Sequence, residues 1–171
     1  VERSVDALIA AAAHLPHGWH LRLKEHPSTP AFVGGLLQGV KAPIFLDNAT
    51  DTFAQVAASR GIVTVNSSVG LEAMFFDKPV VACGKCFWAI PGMAAQATDA
   101  ATLSEMMTNA ESWSFDPDTR NAEMSFLDQI YYPVSDRQSG HAPPESAALV
   151  AARIGRGSDI AGWTSKPRVT A

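Results

Sequence analysis

Residues 62–73 read Ile-Val-Thr-Val-Asn-Ser-Ser-Val-Gly-Leu-Glu-Ala, and this stretch decides the fold. Its first four residues are all β-branched, which is typical of a buried strand. Three small polar residues follow, and apolar side chains then recur at helical spacing at Leu71, Met74 and Phe75. The stretch therefore predicts a strand that passes through a short polar turn directly into a helix.

The polar turn is a candidate anion site. Backbone N–H groups and the helix dipole point outward at a helix N-terminus, and the hydroxyls of Ser67 and Ser68 add neutral donors there. Glu72 follows one turn later, where its carboxylate would repel a second phosphate but could accept hydrogen bonds from sugar hydroxyls. The pattern favours a nucleotide with few phosphates. The alternative is that Ser67 or Ser68 only caps an ordinary helix.

Length and composition describe one globular domain. The chain has 171 residues, of which 47% are apolar and 18% charged, and its net charge of −4 provides no basic field for nucleic acid. No apolar run approaches the roughly 18 residues that span a bilayer. The chain opens without Met and lacks a signal-peptide pattern, so we expect a cytoplasmic portion of a longer protein.

The chain alternates helical and strand patterns, with strands predicted at 19–23, 43–46, 62–65 and 79–82. Asp51 is expected to cap a helix that turns Phe53, Val56 and Ala57 inward, and Thr102 and Glu105 are expected to form a capping box at the start of a later helix. Strands separated by helices predict an α/β fold: a single Rossmann-like domain, with a parallel sheet and helices on both faces. We assign residues 1–158 to this domain, with further helices at 119–131 and 144–154, and residues 159–171 to a flexible C-terminal tail.

Polar residues follow each predicted strand. In a parallel sheet the carboxyl ends of the strands share one edge, where ligands bind; the exits expected there are Lys24–Pro27, Asp47–Asn48, Asn66–Ser68 and Cys83–Lys85. Pro27 biases His26 toward an extended pose, so that Lys24 and His26 share a face and could neutralise a phosphate. The alternatives are a surface histidine at a strand end and a solvated lysine.

The two cysteines form a C-x-x-C at Cys83 and Cys86. This spacing suits a redox dithiol or half of a zinc site, but no second close Cys/His pair follows. We expect thiols without a chemical role, and no metal.

Three motifs, in this order, resemble the capsule polysaccharide biosynthesis and export family: Lys24-Glu25-His26-Pro27, Val65 to Ala73, and Lys78-Pro79-Val80-Val81 with Gly84. The resemblance covers roughly residues 15–95. Members of that family are capsule transferases for the sugar acid Kdo, with CMP-Kdo as donor, and they are similar to GT-B sialyltransferases. The resemblance implies that this chain is one half of a GT-B glycosyltransferase, namely the C-terminal, donor-binding half.

The resemblance also implies roles for individual residues. His26 would contact the CMP phosphate and stabilise the leaving group as the catalytic residue. Ser67 and Ser68 would bind the same phosphate, and Glu72 would hold the ribose hydroxyls. The donor-binding set is completed by Lys24, Pro27, Asn66 and Gly70.

Several partners are implied in the same way. The CMP-activated sugar is a substrate, and no cofactor is expected. The parent chain's N-terminal domain would supply the general base, and the acceptor would be lipid-linked at the inner membrane, where the protein is peripheral. The isolated chain is therefore expected to bind nucleotide weakly and to transfer nothing.

Two other functions stay open. A UDP-sugar epimerase also places a nucleotide at a strand–helix turn, although two phosphates would sit poorly beside Glu72. A non-catalytic Rossmann-like module could dock a partner through the apolar residues Phe87, Trp88 and Ile90. The alternative for this apolar loop is a lid packed on its own core, which we favour.

Overall fold

A computed structural model of the chain describes residues 2–26 and 33–127. The chain divides into two compact units, residues 1–120 and residues 121–171. Pro27, the predicted helix at 144–154 and the predicted tail at 159–171 lie outside the described residues.

The predicted order of helices and strands is present in the described residues. The α-helices are α1 Glu2–Ala12, α2 Thr52–Ala58, α3 Val69–Ala73, α4 Ala100–Thr108 and α5 Pro117–Phe126. The strands are β1 Leu21–Leu23, β2 Ile44–Leu46, β3 Ile62–Thr64, β4 Val80–Ala82 and β5 Ala95–Gln96. Short 3₁₀ helices lie at Val33–Leu37, Met74–Phe76 and Ala110–Ser112.

The strand pairing confirms an α/β fold with parallel sheets. β1 pairs with β2, with Leu21 opposite Ile44, and β3 pairs with β4, with Ile62 opposite Val80. β4 also pairs with β5, which the sequence did not predict. Each paired strand is three residues long or shorter. Hydrogen bonding defines two short sheets, β1-β2 and β3-β4-β5.

Both sheets share one core. Its buried centre comes from α1, β4, α4 and the residue after β5, namely Ala11, Val81, Ala97, Leu103 and Met107. Leu21 of β1 and Val63 of β3 pack against this centre. α1 also packs along α4. β1 is thus the strand through which the first sheet joins the core of the second.

Helix ends show which sequence signals were decisive. Asp51 caps α2 as predicted, since its carboxylate accepts from the N–H groups of Phe53 and Ala54. The predicted inward face of α2 was wrong for Phe53 and Ala57, which are exposed, whereas Val56 is buried. At α4 the N-cap is Asp99, which accepts from Thr102; a Thr102–Glu105 capping pair was the wrong prediction.

Candidate functional site

The turn between β3 and α3 is held by its own hydroxyls. Thr64 Oγ1 accepts from the N–H of Ser67 at 3.2 Å, and Ser67 Oγ accepts from the N–H of Val69 at 3.3 Å. The carbonyl of Ser67 accepts from the N–H of Gly70, and that of Ser68 from the N–H of Glu72. Ser67 thus does part of the capping that the simpler interpretation assigned to it.

Three polar side chains of this turn remain uncommitted. Ser68 has helical backbone angles (φ −58°, ψ −21°), and its hydroxyl caps nothing. Neither it nor the side chains of Asn66 and Glu72 bond any residue in the described part of the chain. Asn66 and Ser68 are exposed and Glu72 is half-buried. The turn therefore presents an amide, a hydroxyl and a carboxylate to solvent, together with the Ser67 O–H.

The helix behind the turn is short. α3 has five residues and continues into the 3₁₀ helix Met74–Phe76. Because a macrodipole is the sum of aligned peptide dipoles, a helix of this length contributes little positive potential at its N-terminus. Anion binding at this turn would depend on the side-chain donors more than the sequence pattern suggests.

Gly70 lies at the floor of the turn and is buried. A Cβ built on it would stand 2.4 Å from Cη2 of Trp88 and 2.9 Å from Cγ2 of Thr64. The Trp88 indole is only 3% exposed, so at this residue the loop after β4 packs on its own core. Phe87, beside it, is 59% exposed and does not share that environment. Packing against Trp88 therefore requires a residue without a Cβ at position 70.

The exit of β1 is tied to the turn that follows β2. Lys24 Nζ donates to the carbonyls of Asn48, at 3.2 Å, and Thr50, at 2.6 Å. Two of the three N–H donors of Lys24 are therefore used by the protein. Lys24 is thus neither the solvated lysine of the alternative prediction nor a residue available only to a ligand. His26 is exposed and follows two residues later.

Asp47 organises the same turn. Its carboxylate accepts from the N–H groups of Ala49 and Thr50 and from the Thr50 hydroxyl. These bonds, above all the backbone bond from Thr50, together with the Arg22 guanidinium at 3.7 Å, lower the pKa of Asp47 from its usual 3.8. Asp47 stays ionised and holds the turn that Lys24 contacts.

Glu25 is a residue of this exit to which the sequence assigned no role. Its carboxylate accepts from the side-chain amide of Asn48 at 2.7 Å and from the backbone N–H of Val33. The Glu25 N–H donates in return to Asn48 Oδ1 at 3.0 Å. The position of Glu25 within Lys-Glu-His-Pro was the one sequence signal for these bonds, because its partners are remote in sequence.

The predicted strand exits meet in two pairs. The β1 and β2 exits meet through Lys24 and Asn48, as described above. The β3 and β4 exits meet at the carbonyl of Val65, which lies 3.6 Å from Cys86 Sγ. Gly84 packs against the same carbonyl so closely that a Cβ at position 84 would clash with it. The two pairs stand on the common core through Leu21 and Val63.

The two cysteines are reduced and half-buried. Burial raises the pKa of Cys83, with a smaller effect from Cys86, and burial likewise raises the pKa of Cys86. Across residues 2–26 and 33–127, no three His, Cys, Asp or Glu side chains cluster closely enough to hold a metal ion. Within those ranges no helix is long and apolar enough to cross a bilayer.

Comparison with known proteins identifies the family. Protein FixF of Sinorhizobium fredii (strain NBRC 101917 / NGR234) is 26% identical over 126 residues, which are 74% of this chain and 31% of FixF. The chain thus matches about a third of that relative's length. No solved structure matches it. Residues 2–122, well over half of the chain, match the family described as capsule polysaccharide biosynthesis protein, and the chain belongs to that family.

Proposed function

We propose that this chain is the donor-binding domain of a capsule polysaccharide glycosyltransferase and holds the CMP part of a CMP-activated sugar acid such as Kdo. The observation that carries the proposal is the group of unused donors at the β3–α3 turn: the hydroxyls of Ser67 and Ser68 and the amide of Asn66. Donor groups at a strand exit that donate to no described part of the protein are available to a ligand.

Topology supports a cleft beside this turn. We place β1 next to β3, because Leu21 and Val63 pack against the same buried centre. The strand order β2-β1-β3-β4-β5 is then doubly wound, and the order reverses between β1 and β3. Ligands of such folds bind beyond the carboxyl ends of the strands at that reversal. His26 follows one of these two strands and Ser67 follows the other.

The chemistry asked of this cleft is electrostatic. Cleavage of the bond between the sugar and CMP leaves a developing charge on a single phosphate. The imidazole N–H of His26 and the two serine hydroxyls would stabilise that charge as fixed donors, and a lost donor in such a site costs about 2.7–4 kcal/mol of transition-state stabilisation. Lys24 adds long-range positive potential while its own bonds hold the neighbouring turn.

Glu72 favours one phosphate over two. Its half-buried carboxylate lies one helical turn beyond Ser68, where it can accept hydrogen bonds from the ribose hydroxyls. A second phosphate would meet this negative charge. A UDP-sugar would therefore bind less well than a CMP-sugar.

The acceptor and the general base belong, in this proposal, to a part of the protein outside this chain. We propose a lipid-linked acceptor at the inner membrane and a second domain that closes over the donor. This chain alone binds nucleotide and does not transfer sugar, so turnover of CMP-Kdo by these 171 residues would contradict the division of labour.

The experiment is a nucleotide titration followed by amide NMR. CMP, UDP and cytidine are added separately to the chain, and shifts near Ser67 and His26 are compared. We expect CMP to bind more tightly than either competitor. Ser68→Ala and His26→Ala should each lower CMP affinity roughly tenfold or more, because each bond to a charged group contributes about 1.5–3 kcal/mol.

Ser104→Ala is the matched control. Ser104 lies on α4, where its hydroxyl donates to the carbonyl of Ala100, and its loss should leave CMP affinity unchanged. Preference for UDP would favour the epimerase-like alternative. Binding of CMP that survives both His26→Ala and Ser68→Ala would remove the proposed site and favour a docking module.

A further inference from the structure

The outer side of α2 is apolar and exposed. The helix reads Thr-Phe-Ala-Gln-Val-Ala-Ala and carries no charged side chain. Val56 is its buried residue, and the amide of Gln55 donates to two carbonyls of the preceding turn. The opposite side of the helix presents four exposed residues that we call the α2 face: Phe53, Ala54, Ala57 and Ala58. Exposed helix faces are normally polar, so an apolar one is suited to contact another protein surface.

Aromatic side chains extend the α2 face at its N-terminal end. The ring of Phe53 is 46% exposed and stacks on the exposed ring of Phe76, with the two ring centroids 5.9 Å apart. Phe75, the residue before Phe76, is 74% exposed. Single exposed apolar residues are common, whereas a contiguous group of them marks an interaction surface. The stacking makes this group contiguous across two segments of the chain.

Opposite charges flank the α2 face at its two ends. Asp51 is exposed before the first turn, and its Oδ1 alone accepts the two capping N–H groups. Arg60 is exposed two residues after the helix ends, where its guanidinium lies 6.0 Å from the centroid of the Trp19 ring. Across the described part of the chain, neither Asp51 nor Arg60 forms an ion pair. Each charge is therefore available to an opposite charge on a partner surface.

The α2 face is complementary to itself. A two-fold axis perpendicular to α2, passing between Gln55 and Val56, would bring two copies of the helix together antiparallel in an isologous contact. The residue pairs across that axis are Phe53 with Ala58, Ala54 with Ala57, and Asp51 with Arg60. A large ring thus meets a methyl group, small residues let the helix axes approach to about 8 Å, and each carboxylate meets a guanidinium. A second copy therefore matches this face in both size and charge.

We propose that this chain pairs with a second copy of itself through the α2 face, with the two α2 helices antiparallel. The dimer is weak, because a seven-residue helix is only about 10 Å long and such a contact is smaller than the standard size of about 800 Å² per partner. Its stability comes from removing the rings of Phe53 and Phe76 from water. None of these residues belongs to the β3–α3 turn, so the dimer and the proposed function are independent.

Sedimentation equilibrium of the full chain tests self-association. Between about 10 μM and about 1 mM, we expect the average mass to rise from monomer toward dimer, as for a weak interface. Ala57→Glu places a carboxylate at the centre of the contact in both copies and should weaken association at least about tenfold. Ala101→Glu is the matched control, since Ala101 is an exposed alanine of α4 and the same change there should leave association unaltered.

Charge reversal tests which ends meet. Arg60→Glu sets a carboxylate against Asp51 at both ends of the dimer, and Asp51→Lys sets an ammonium against Arg60. Each variant alone should associate more weakly than wild type, whereas in an equimolar mixture of the two both ends carry opposite charges. We expect the mixed dimer to exceed either homodimer about threefold or more in affinity.

Asp51→Lys also removes the cap of α2, so its helix content is checked first by circular dichroism. If this variant is unfolded, Asp51→Asn takes its place in the mixture, because asparagine keeps a capping oxygen and lacks the negative charge. The mixed dimer then retains one attractive end, and each homodimer has none.

Isotope-filtered NMR tests the register of the two helices. In a mixture of labelled and unlabelled chains at about 1 mM, where a weak dimer is populated, the filter selects signals that pass between copies. We expect nuclear Overhauser effects between the ring of Phe53 in one copy and the methyl group of Ala58 in the other.

The outcomes decide the proposal. Monomer mass throughout the concentration range would overturn it and leave the α2 face to another part of a longer protein. Association that Ala57→Glu does not weaken would place the contact on a different surface, which also overturns it. Absence of the signals between Phe53 and Ala58, with no preference for the mixed dimer, would overturn the antiparallel arrangement.

Discussion

The indole of Trp88 lies directly on the α carbon of Gly70. A Cβ at position 70 would stand 2.4 Å from Cη2 and 2.6 Å from Cζ2 of that ring, closer than carbon atoms approach each other. The loop after β4 is thereby fastened to the first turn of α3, just behind the polar side chains of the candidate site. The contact explains a glycine in a helix, where alanine would otherwise be favoured by about 1 kcal/mol.

Gly70→Ala should destabilise the fold. Because Trp88 is buried, the added methyl forces the ring or the helix to move, at a cost of about 1–3 kcal/mol. Urea unfolding measures the loss, and the Trp88 indole N–H signal should shift. Gly35→Ala is the control, since a Cβ there meets nothing within 4 Å, and its stability should change by about 0.5 kcal/mol or less. Equal stability of the two variants would contradict this packing.

The two serines of the turn should differ in stability although both are expected to bind phosphate. Ser67→Ala removes the acceptor for the Val69 N–H and should cost about 0.5–1.5 kcal/mol. Ser68→Ala removes no bond within the described residues and should be neutral. Denaturation curves of the two variants, measured without ligand, test the difference. A larger loss for Ser68→Ala would show that its hydroxyl does cap the helix.

Acid should destabilise the protein through three carboxylates that accept hydrogen bonds at turns and helix starts. Hydrogen bonds from Thr50, Thr102 and Thr119 lower the pKa values of Asp47, Asp99 and Asp116, respectively, below 3.8. A carboxylate whose pKa is lower in the folded than in the unfolded state stabilises the fold fully at a pH above its unfolded pKa. This stabilisation is lost as the pH falls through the folded pKa. Melting temperatures measured from about pH 6 to pH 2 should therefore decline below about pH 4.

Salt separates this cause from charge attraction. Short hydrogen bonds are little affected by ionic strength, whereas attraction across solvent is screened. The acid-dependent decline should therefore persist in about 0.5 M salt and should become shallower in the triple Asp→Asn variant at these positions. Loss of the decline in salt alone would assign it to long-range charge.

The thiols should react slowly in the folded protein. Burial raises the pKa of both Cys83 and Cys86, and the thiolate is the reactive form. Alkylation by iodoacetamide at about pH 7.5, followed by mass spectrometry, should be at least about tenfold slower for the native than for the unfolded chain. Rapid labelling of either cysteine in the native protein would instead indicate an activated thiol.

Local sequence patterns predicted the strands and the helix cap that depend mainly on interactions between neighbouring residues. β-branched residues indicated β3 and β4 near their observed positions, and the Asp51 cap followed from a carboxylate before a helical pattern. Phe53 was assigned to the core by periodicity, yet its ring is exposed and stacks on Phe76 at 5.9 Å. That surface partner is remote in sequence, so the helical pattern alone could not indicate it.

The candidate site shows the same limit. Asn66, Ser67, Ser68 and Glu72 were found because they are adjacent in the chain. Glu25 was missed because its hydrogen-bond partners, Asn48 and Val33, are brought next to it only by the fold. Gly70 was assigned to ligand binding by motif, and the contact with Trp88 gives it a packing role that no spacing rule contains.

The packing of α1 along α4 also has a consequence for how the protein is made. α1 leaves the ribosome well before α4, and the side chains that complete its core, Leu103 and Met107, are synthesised after β1 to β5. Until then its apolar face lacks the cover that α4 provides, and the nascent chain must be shielded or must tolerate that exposure. Translation that stopped before α4 would release a polypeptide whose helix α1 has lost its partner, a ready target for proteolysis.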